Sequence, residues 1–505
     1  MTTLAVEFTT SRMLQAVYGT SNIVWANVIG LVLLFLTIGY FVGGWLADRW
    51  PSPRLFYALA SLAGFAGVFF LLLASAILKT AASALAALNV GALVGSLVAV
   101  ILTLAVPITL LGCISPFAIR LGVRNVNEAG RISGRIYAIS TWGSLLGTYL
   151  PVLLVIPLAG SRWAAVLFGG LLLLFGLAGL WQTAGRAALV GLLLPALLIP
   201  TVGFGISGSL KSYPGQIFET ESAYNYIQVI RRDDCNYLLL NEGQAYHSYY
   251  CDQGRVPRIS VWSIMLAAPY FNEDVDDPAL RSMAVVGLAA GTIPKQFTRV
   301  FGALEVDGIE LDPEIITVAR EHFALDEPNI NVIVGDGRYQ LNRLSGPYDI
   351  VTIDAYKVPY IPWHLTTKEF FSEVRARLSE RGVVAINVGR VPRDRRLVGA
   401  MTTTLETVFP SVHAIDVPGS LNTILVATVQ PTSSENIVAN LDSLPEGTDP
   451  LLVQILETAR SNLVSATESD VVFLDERAPV ETIVDSLVLR FLLQEGASGL
   501  PGLDG

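Results

Sequence analysis

The stretch VVGLAAGT, residues 285–292, decides the fold, because an apolar run ends there in a cluster of small residues. Gly287, Ala289 and Gly291 would let the backbone turn tightly and approach a ligand closely. Taken alone the pattern is weak, since simple close packing selects the same small residues. Its meaning depends on the chemistry of the segments around it.

Apolar runs alternate with helical patterns on the carboxyl side of this stretch. Strands are predicted at residues 283–288, 304–311, 331–335, 349–354, 383–388, 412–417 and 423–429. Helices are predicted at residues 313–323, 337–344, 366–378 and 394–408. This alternation is typical of a doubly wound, mainly parallel α/β sheet. Ligands of such sheets bind beyond the carboxyl ends of the strands, so the residues there are the candidates for a site.

Acidic residues follow three of the predicted strands. Glu310, in GIELDPEI, lies 19 residues after Gly291, and an acid at about that distance commonly accepts hydrogen bonds from ribose hydroxyls. Asp336, in VGDGRYQL, either accepts from an adenine amino group or caps the following helix. Asp354 ends the apolar run of YDIVTIDAY, where it either accepts a proton from a substrate or caps a turn.

Residues 1–210 differ physically from the rest of the chain. They hold ten basic and three acidic residues, a net charge of +7, whereas the remainder holds 23 and 40, a net charge of −17. Uncharged runs long enough to cross a bilayer recur in this first part. They cover residues 24–46, 55–78, 81–118, 136–160, 163–185 and 187–210, and an amphipathic stretch, 1–18, precedes them. We therefore predict a multi-pass membrane domain of six to seven helices.

The second part of the chain is acidic, which argues against a nucleic-acid partner, because phosphate contacts need a basic surface. It is predicted to begin with a small β-hairpin unit at residues 211–265, because residues 224–250 alternate and contain turn residues. The α/β domain follows at 266–485 and a tail at 486–505. The cysteines (Cys113, Cys235 and Cys251) lack metal-site spacing, so we expect neither a metal site nor a disulfide framework.

Taken together, the motifs resemble the polyamine aminopropyltransferases, the spermidine synthase family, over residues 222–485. They are SAYNYIQV, the glycine turn, IELDPEI, GDGR, YDIVTIDAY and FLDERAPVE. The whole chain looks like a group of bacterial proteins in which membrane helices are fused to a spermidine-synthase-like domain. The resemblance implies a class I S-adenosylmethionine-type, Rossmann-like fold.

The resemblance also implies a cofactor and a reaction. The co-substrate would be decarboxylated or intact S-adenosylmethionine, and methylthioadenosine would be released. Asp354 would accept a proton from the attacking amine, because an alkylammonium with a pKa of about 10 cannot attack while protonated. Glu310 would contact the ribose, and Asp336 with Gly337 the adenine. The implied cofactor-binding set is Asn225, Gly287, Ala289, Gly291, Glu310, Asp336 and Gly337.

The acceptor side departs from the family pattern. Lys357 stands where the family usually has a second aspartate, and no acid occurs at residues 253–271, where an acidic, histidine-containing helix is usual. Lys357 is either a solvated loop residue or a contact for an anion, such as the carboxylate of the intact cofactor or an acidic acceptor. The candidate acceptor-binding residues are Tyr224, Gln244, Tyr356 and Lys357.

Two other functions stay open at this point. One is methyl transfer or an intramolecular attack within the cofactor, and the other is a non-enzymatic polyamine sensor or a transporter with a degenerate synthase domain. The expected partners are a small-molecule substrate and the lipid bilayer, and a homodimer is left open. We expect a location in the cell (inner) membrane. The cofactor is made in the cytosol, which favours a cytoplasmic catalytic domain. Basic residues concentrate in loops 47–54 and 119–135, and five spans after loop 47–54 would instead put the domain on the opposite side.

Overall fold

The computed structural model divides the chain into two compact units. Unit 1 comprises residues 1–214 and 219–226, and unit 2 comprises residues 215–218 and 227–505. The structure describes residues 1–18, 22–87, 92–206, 213–241, 245–252, 259–273, 275, 280–357, 360–465 and 469–495.

Unit 1 is helical. Its described helices are α1 (Thr2–Tyr18), α2 (Asn22–Arg49), α3 (Pro53–Ala87), α4 (Ala92–Gly122), α5 (Ala129–Leu150), α6 (Ile156–Ala184) and α7 (Leu193–Ile206). Five segments of the described residues are long and apolar enough to cross a membrane. They are Trp25–Arg49, Pro53–Ala74, Ser96–Gly122, Val126–Val155 and Leu158–Ala184. Six to seven membrane helices were expected; α1 and α7 are not among these five, and α7 contains Pro200.

Glycines let the long helices of unit 1 approach closely. An added Cβ at Gly39 would lie 2.3 Å from the carbonyl oxygen of Thr109, and one at Gly43 would lie 2.4 Å from the Cα of Cys113. Close backbone contact of this kind is typical of helices that associate in lipid, where the hydrophobic effect does not drive association. The contact between α2 and α4 therefore depends on small side chains.

A four-stranded sheet replaces the predicted hairpin unit. Its strands are β1 (Gln216–Glu221), β2 (Tyr226–Arg232), β3 (Cys235–Leu240) and β4 (Tyr246–Cys251), in that spatial order. Cys235 and Cys251 face each other across β3 and β4 and form a disulfide. No disulfide framework was expected, and the structure has this single disulfide, which arises because antiparallel pairing brings together two residues that are 16 apart in sequence.

The eight-stranded sheet of unit 2 confirms the predicted α/β architecture. Its spatial order is β12-β10-β11-β9-β8-β5-β6-β7, in which β5 to β9 are parallel and β10 to β12 antiparallel. The strands are β5 (Ser282–Val286), β6 (Glu305–Glu310), β7 (Ile330–Val334), β8 (Tyr348–Ile353), β9 (Leu378–Gly389), β10 (Ser411–Asp416), β11 (Asn422–Thr428) and β12 (Leu463–Val464). Predicted strands were therefore displaced by one or two residues at most ends, and β9 begins five residues earlier.

Helices cover both faces of this sheet. They are α8 (Val261–Ile264), α9 (Thr292–Phe301), α10 (Pro313–His322), α11 (Gly337–Leu341), α12 (Lys368–Arg375), α13 (Arg396–Glu406), α14 (Asn436–Asp442), α15 (Pro450–Ser461) and α16 (Val480–Glu495). Neighbouring strand residues such as Val285 and Val286 belong to two different buried clusters. Burial on both faces explains why the parallel strands are continuous apolar runs in the sequence.

Candidate active site

The glycine turn lies against the end of a neighbouring strand. After β5, the amides of Gly287 and Leu288 both donate to the carbonyl of Ile309, at 3.0 and 2.9 Å. Gly287 has a φ of 92°, and an added Cβ would lie 2.6 Å from the carbonyl oxygen of Asp354. Only glycine fits this position, because a side chain would meet backbone that cannot move away. The turn and the end of β8 are therefore in direct contact.

Glu310, at the end of β6, is held by the same turn. One carboxylate oxygen accepts from the amide of Ala289 at 2.9 Å, and the other accepts from the amide of Asp312 at 3.0 Å. The residue is only 8% exposed, and this burial raises its pKa to about 7 against the opposing effect of the backbone donors. Its remaining lone pairs can accept hydrogen bonds from ligand hydroxyls.

Asp336 caps the helix that follows β7, which was one of its two predicted roles. Its Oδ1 accepts from the amide of Tyr339 at 3.0 Å, and its Oδ2 lies 2.9 Å from Nε2 of His364. An added Cβ at the next residue, Gly337, would lie 2.6 Å from Cγ1 of Val286, which places this turn beside the end of β5. Capping does not exclude an adenine contact, because a carboxylate has further lone pairs.

Asp354 follows β8 and has two neutral donors. The indole Nε1 of Trp262 donates to Oδ2, and Nδ2 of Asn387 donates to Oδ1, both at 2.8 Å. Burial raises the pKa of Asp354 to about 6, while the two hydrogen bonds oppose that rise. Because its pKa is close to neutrality, this carboxylate can both accept a proton and release it near pH 7.

A chain of hydrogen bonds orients Asn387. Its Oδ1 accepts from Nδ2 of Asn422 at 2.8 Å, and its carbonyl oxygen accepts from the hydroxyl of Tyr356 at 3.0 Å. Trp262 and Asn387 were not among the residues predicted from the sequence. A single asparagine within the apolar run VVAINVG was the available signal for Asn387, whereas Trp262 lies in an apolar segment with no such signal.

The structure brings together the glycine turn, Glu310, Gly337 and Asp354, all at the carboxyl edge of the sheet. Asp336 directly precedes Gly337, and Tyr356 is linked to Asp354 through Asn387, to whose carbonyl oxygen its hydroxyl donates. Tyr224 is exposed, and it and Asn225 fall within unit 1. Gln244 lies outside the described residues. The side chain of Lys357 is exposed, and its backbone pairs with Tyr360.

Comparison with known proteins identifies the type of domain. Residues 275–438 match the family model described as the spermine/spermidine synthase domain. The chain is 27% identical over 338 residues to a probable polyamine aminopropyl transferase of Bifidobacterium longum, covering 60% of this chain and 71% of that one. It is 27% identical over 161 residues to an eEF1A lysine and N-terminal methyltransferase of Mus musculus, covering 30% and 23%. A probable spermidine synthase structure from Corynebacterium glutamicum aligns with a TM-score of 0.40 and 20% identity, covering 52% and 99%.

Proposed function

We propose that the spermine/spermidine synthase domain that this chain carries is an aminopropyltransferase-like enzyme. It would use decarboxylated or intact S-adenosylmethionine, alkylate an amine and release methylthioadenosine. The observation that carries the proposal is the position of Asp354, a partly buried carboxylate with a pKa of about 6 that is held by two neutral donors beside the glycine turn. The likeness to polyamine aminopropyltransferases supports the same reaction type.

The transfer needs one base and good alignment. The amine arrives as an ammonium, donates its proton to Asp354, and attacks the alkyl carbon bonded to the sulfonium. The new N–C bond forms as the C–S bond breaks, and the electron pair of that bond stays on sulfur. The leaving thioether is neutral, so no general acid is needed. Asp354 then releases its proton to water, which its near-neutral pKa permits.

The proposed cofactor-binding site consists of the glycine turn after β5 and the residues at the ends of β6 and β7. Glu310 would accept hydrogen bonds from the ribose hydroxyls, and the small residues at Gly287, Ala289 and Gly291 would let the backbone approach the thioether and ribose. Asp336 and Gly337 would lie along the adenine. The fit is supported by the donor set of Glu310, since two backbone amides hold its carboxylate in place without neutralising it.

The helices of unit 1 would anchor the synthase domain to the cell membrane. If each of the five candidate segments crosses once, the chain after α6 would lie on the same side as the basic loops that follow the first and third segments. By the positive-inside rule that side is the cytoplasm, where the cofactor is made. The Cys235–Cys251 disulfide instead favours a synthase domain outside the cytoplasm, because disulfides are rare in cytosolic proteins.

Methyl transfer is the second candidate. It is supported by the likeness to eEF1A lysine and N-terminal methyltransferases and by the absence of acids at residues 253–271. The two reactions differ in the bond that breaks. Attack at the propyl carbon leaves methylthioadenosine, whereas attack at the methyl carbon leaves S-adenosylhomocysteine.

Mass spectrometry of the purified full chain, incubated with each form of the cofactor with and without amines, separates these candidates. We expect amine-dependent methylthioadenosine. Asp354→Asn should lower the rate by a factor on the order of 10²–10⁴, and Asp326→Asn, an exposed aspartate of the same domain, should not change it. S-adenosylhomocysteine would indicate methyl transfer, and cofactor binding without turnover would indicate a sensor.

A further inference from the structure

Arg390, the first residue after β9, is a partly buried cation that its neighbouring carboxylate neutralises only in part. Its side chain is 14% exposed, and its Nε lies 3.3 Å from Oδ1 of Asp416 without forming a hydrogen bond. Among the residues that the structure describes, its Nη2 reaches only the carbonyl oxygen of Ser420, at 3.4 Å. A buried guanidinium usually has close hydrogen-bonded partners, because removing its charge from water is costly.

Asp416 neutralises Arg390 only in part, because other donors already bind both of its carboxylate oxygens. Arg395 binds both carboxylate oxygens of Asp416, at 2.8 and 2.9 Å. The hydroxyl of Thr423 donates to Asp416 Oδ1 at 2.6 Å. Two arginines therefore share one carboxylate, and the geometry strongly favours Arg395.

The other charged residues of the turn that follows β9, residues 390–396, do not neutralise Arg390. Asp394 is paired with Arg396 at 2.7 Å and lies 3.7 Å from Arg490 of α16. Arg393 is exposed. The segment from 390 to 396 thus has four arginines and one aspartate, and Asp416 is the acid that β10 adds. The local charge is positive.

Hydrogen bonds connect this cation to the proposed base. Ser420, whose carbonyl lies near Arg390, donates through its hydroxyl to Oδ1 of Asn422 at 2.6 Å. Asn422 in turn donates to Asn387, which donates to Asp354, each at 2.8 Å. Arg390 therefore belongs to the same group of strand ends as Asp354, on the side towards β9 and β11.

We infer that Arg390 binds an anionic group on the acceptor, so that the acceptor is an amine that also carries a carboxylate or a phosphate. The inference rests on the proposed transfer reaction and names its substrate class. The amine end would meet Asp354 and the acidic end would complete the hydrogen bonding of Arg390. A diamine would instead bring a second cation towards an arginine-rich turn, which is unfavourable.

Kinetics with matched acceptors test this inference. 4-Aminobutyrate and 1,4-diaminobutane are amines with carbon chains of similar length, and the second group is a carboxylate in the first and an ammonium in the second. 2-Aminoethyl phosphate tests whether a phosphate is preferred to a carboxylate. We expect the protein to use an acid-bearing amine in preference to the diamine. Arg390→Gln should lower kcat/KM for that amine by about 10- to 100-fold, mainly through KM, since it removes a charge-assisted hydrogen bond.

Two further variants separate recognition from structure. Arg390→Lys keeps the charge and should recover part of the lost affinity, while Arg393→Gln, an exposed arginine of the same turn, should change nothing. A preference for the diamine in the unmodified protein would overturn the inference, as would an equal loss for both acceptors in Arg390→Gln. If Arg390→Gln changed only the preference between intact and decarboxylated S-adenosylmethionine, the inference would also be overturned, because Arg390 would then bind the carboxylate of the cofactor and not an anionic group of the acceptor.

Calorimetry keeps this test separate from the reaction itself. If no acceptor turns over, the proposed function fails, and binding of 4-aminobutyrate or 2-aminoethyl phosphate to the full chain with methylthioadenosine is measured directly. Binding that Arg390→Gln weakens and Arg393→Gln does not would still support the anion site. Absence of binding, or binding that is insensitive to Arg390, would overturn it.

Discussion

The indole Nε1 of Trp262 donates a hydrogen bond of 2.8 Å to Oδ2 of Asp354, although the two residues are 92 positions apart. This bond stabilises the ionised carboxylate and so opposes the effect of burial, which raises the pKa of Asp354 to about 6. Two competing effects therefore set the pKa of the proposed base, Asp354. Removing the donor leaves the burial effect less opposed.

Trp262→Phe should move the acid limb of the pH–rate profile upwards. The base must be ionised to accept a proton, so activity rises with pH through its pKa, which is about 6 in the unmodified protein. Loss of a hydrogen bond to a charged group is worth about 1.5–3 kcal/mol, which corresponds to a shift of about one to two pH units. The measurement is kcat/KM between pH 5 and 9.

Trp262→His serves as the matched variant, because a histidine can retain a ring N–H donor while changing the size of the side chain. It should shift the profile less than Trp262→Phe does. If both variants lower the rate equally at every pH, Trp262 acts through packing and not through the pKa of Asp354.

Gly287→Ala should abolish cofactor binding. Its φ of 92° costs an alanine about 1–3 kcal/mol, and the added Cβ would also displace the backbone of Asp354, 2.6 Å away. Gly302→Ala is the control, since Gly302 has a φ of 81° but no atom within 4 Å of an added Cβ. Both variants should lose stability in denaturant titrations, but only Gly287→Ala should lose affinity for methylthioadenosine. Equal affinity would show that the turn does not hold the cofactor.

Binding of methylthioadenosine should strengthen as pH rises from 6 to 8. The pKa of Glu310 is raised to about 7 by burial, so much of the free protein is protonated there at pH 6. Ribose hydroxyls donate to the ionised form, and binding should therefore release protons below pH 7. Affinity should increase by up to about tenfold per pH unit in that range and level off above it. Calorimetry in buffers of different ionisation enthalpy measures the proton release, and its absence would place the ribose elsewhere.

The Cys235–Cys251 pair can decide on which side of the membrane the synthase domain lies. Fusions of a periplasmic reporter and of a cytoplasmic reporter after residue 495 compare the two sides, and we expect only the cytoplasmic reporter to be active. The two thiols should then be reduced in cells. An active periplasmic reporter together with a persistent disulfide would contradict a cytoplasmic domain.

In the oxidised protein, Cys251→Ser should lower the free energy of unfolding by about 3 kcal/mol, the chain-entropy value for a loop of this length.

Several parts of the α/β domain were predictable from the sequence because they depend on local burial. Strands covered on both faces are continuous apolar runs, and the residue after each run must reach the carboxyl edge of the sheet. Glu310, Asp336 and Asp354 were located in this way, and the structure describes each at a strand end. The small residues of VVGLAAGT likewise reflect a local requirement, a tight turn with a positive φ at Gly287.

The tertiary structure decided which distant residues meet. Trp262 and Asn387 donate hydrogen bonds to Asp354, and Cys235 pairs with Cys251. Arg395 binds Asp416 more closely than Arg390 does. None of these contacts leaves a periodic signal, because each depends on the register of strands and the packing of helices across the sheet. The sequence by itself determined two physically different parts of the chain and the positions of the acids. Only the fold determined the donors that set the pKa of Asp354 and left Arg390 without a full set of hydrogen-bond partners among the described residues.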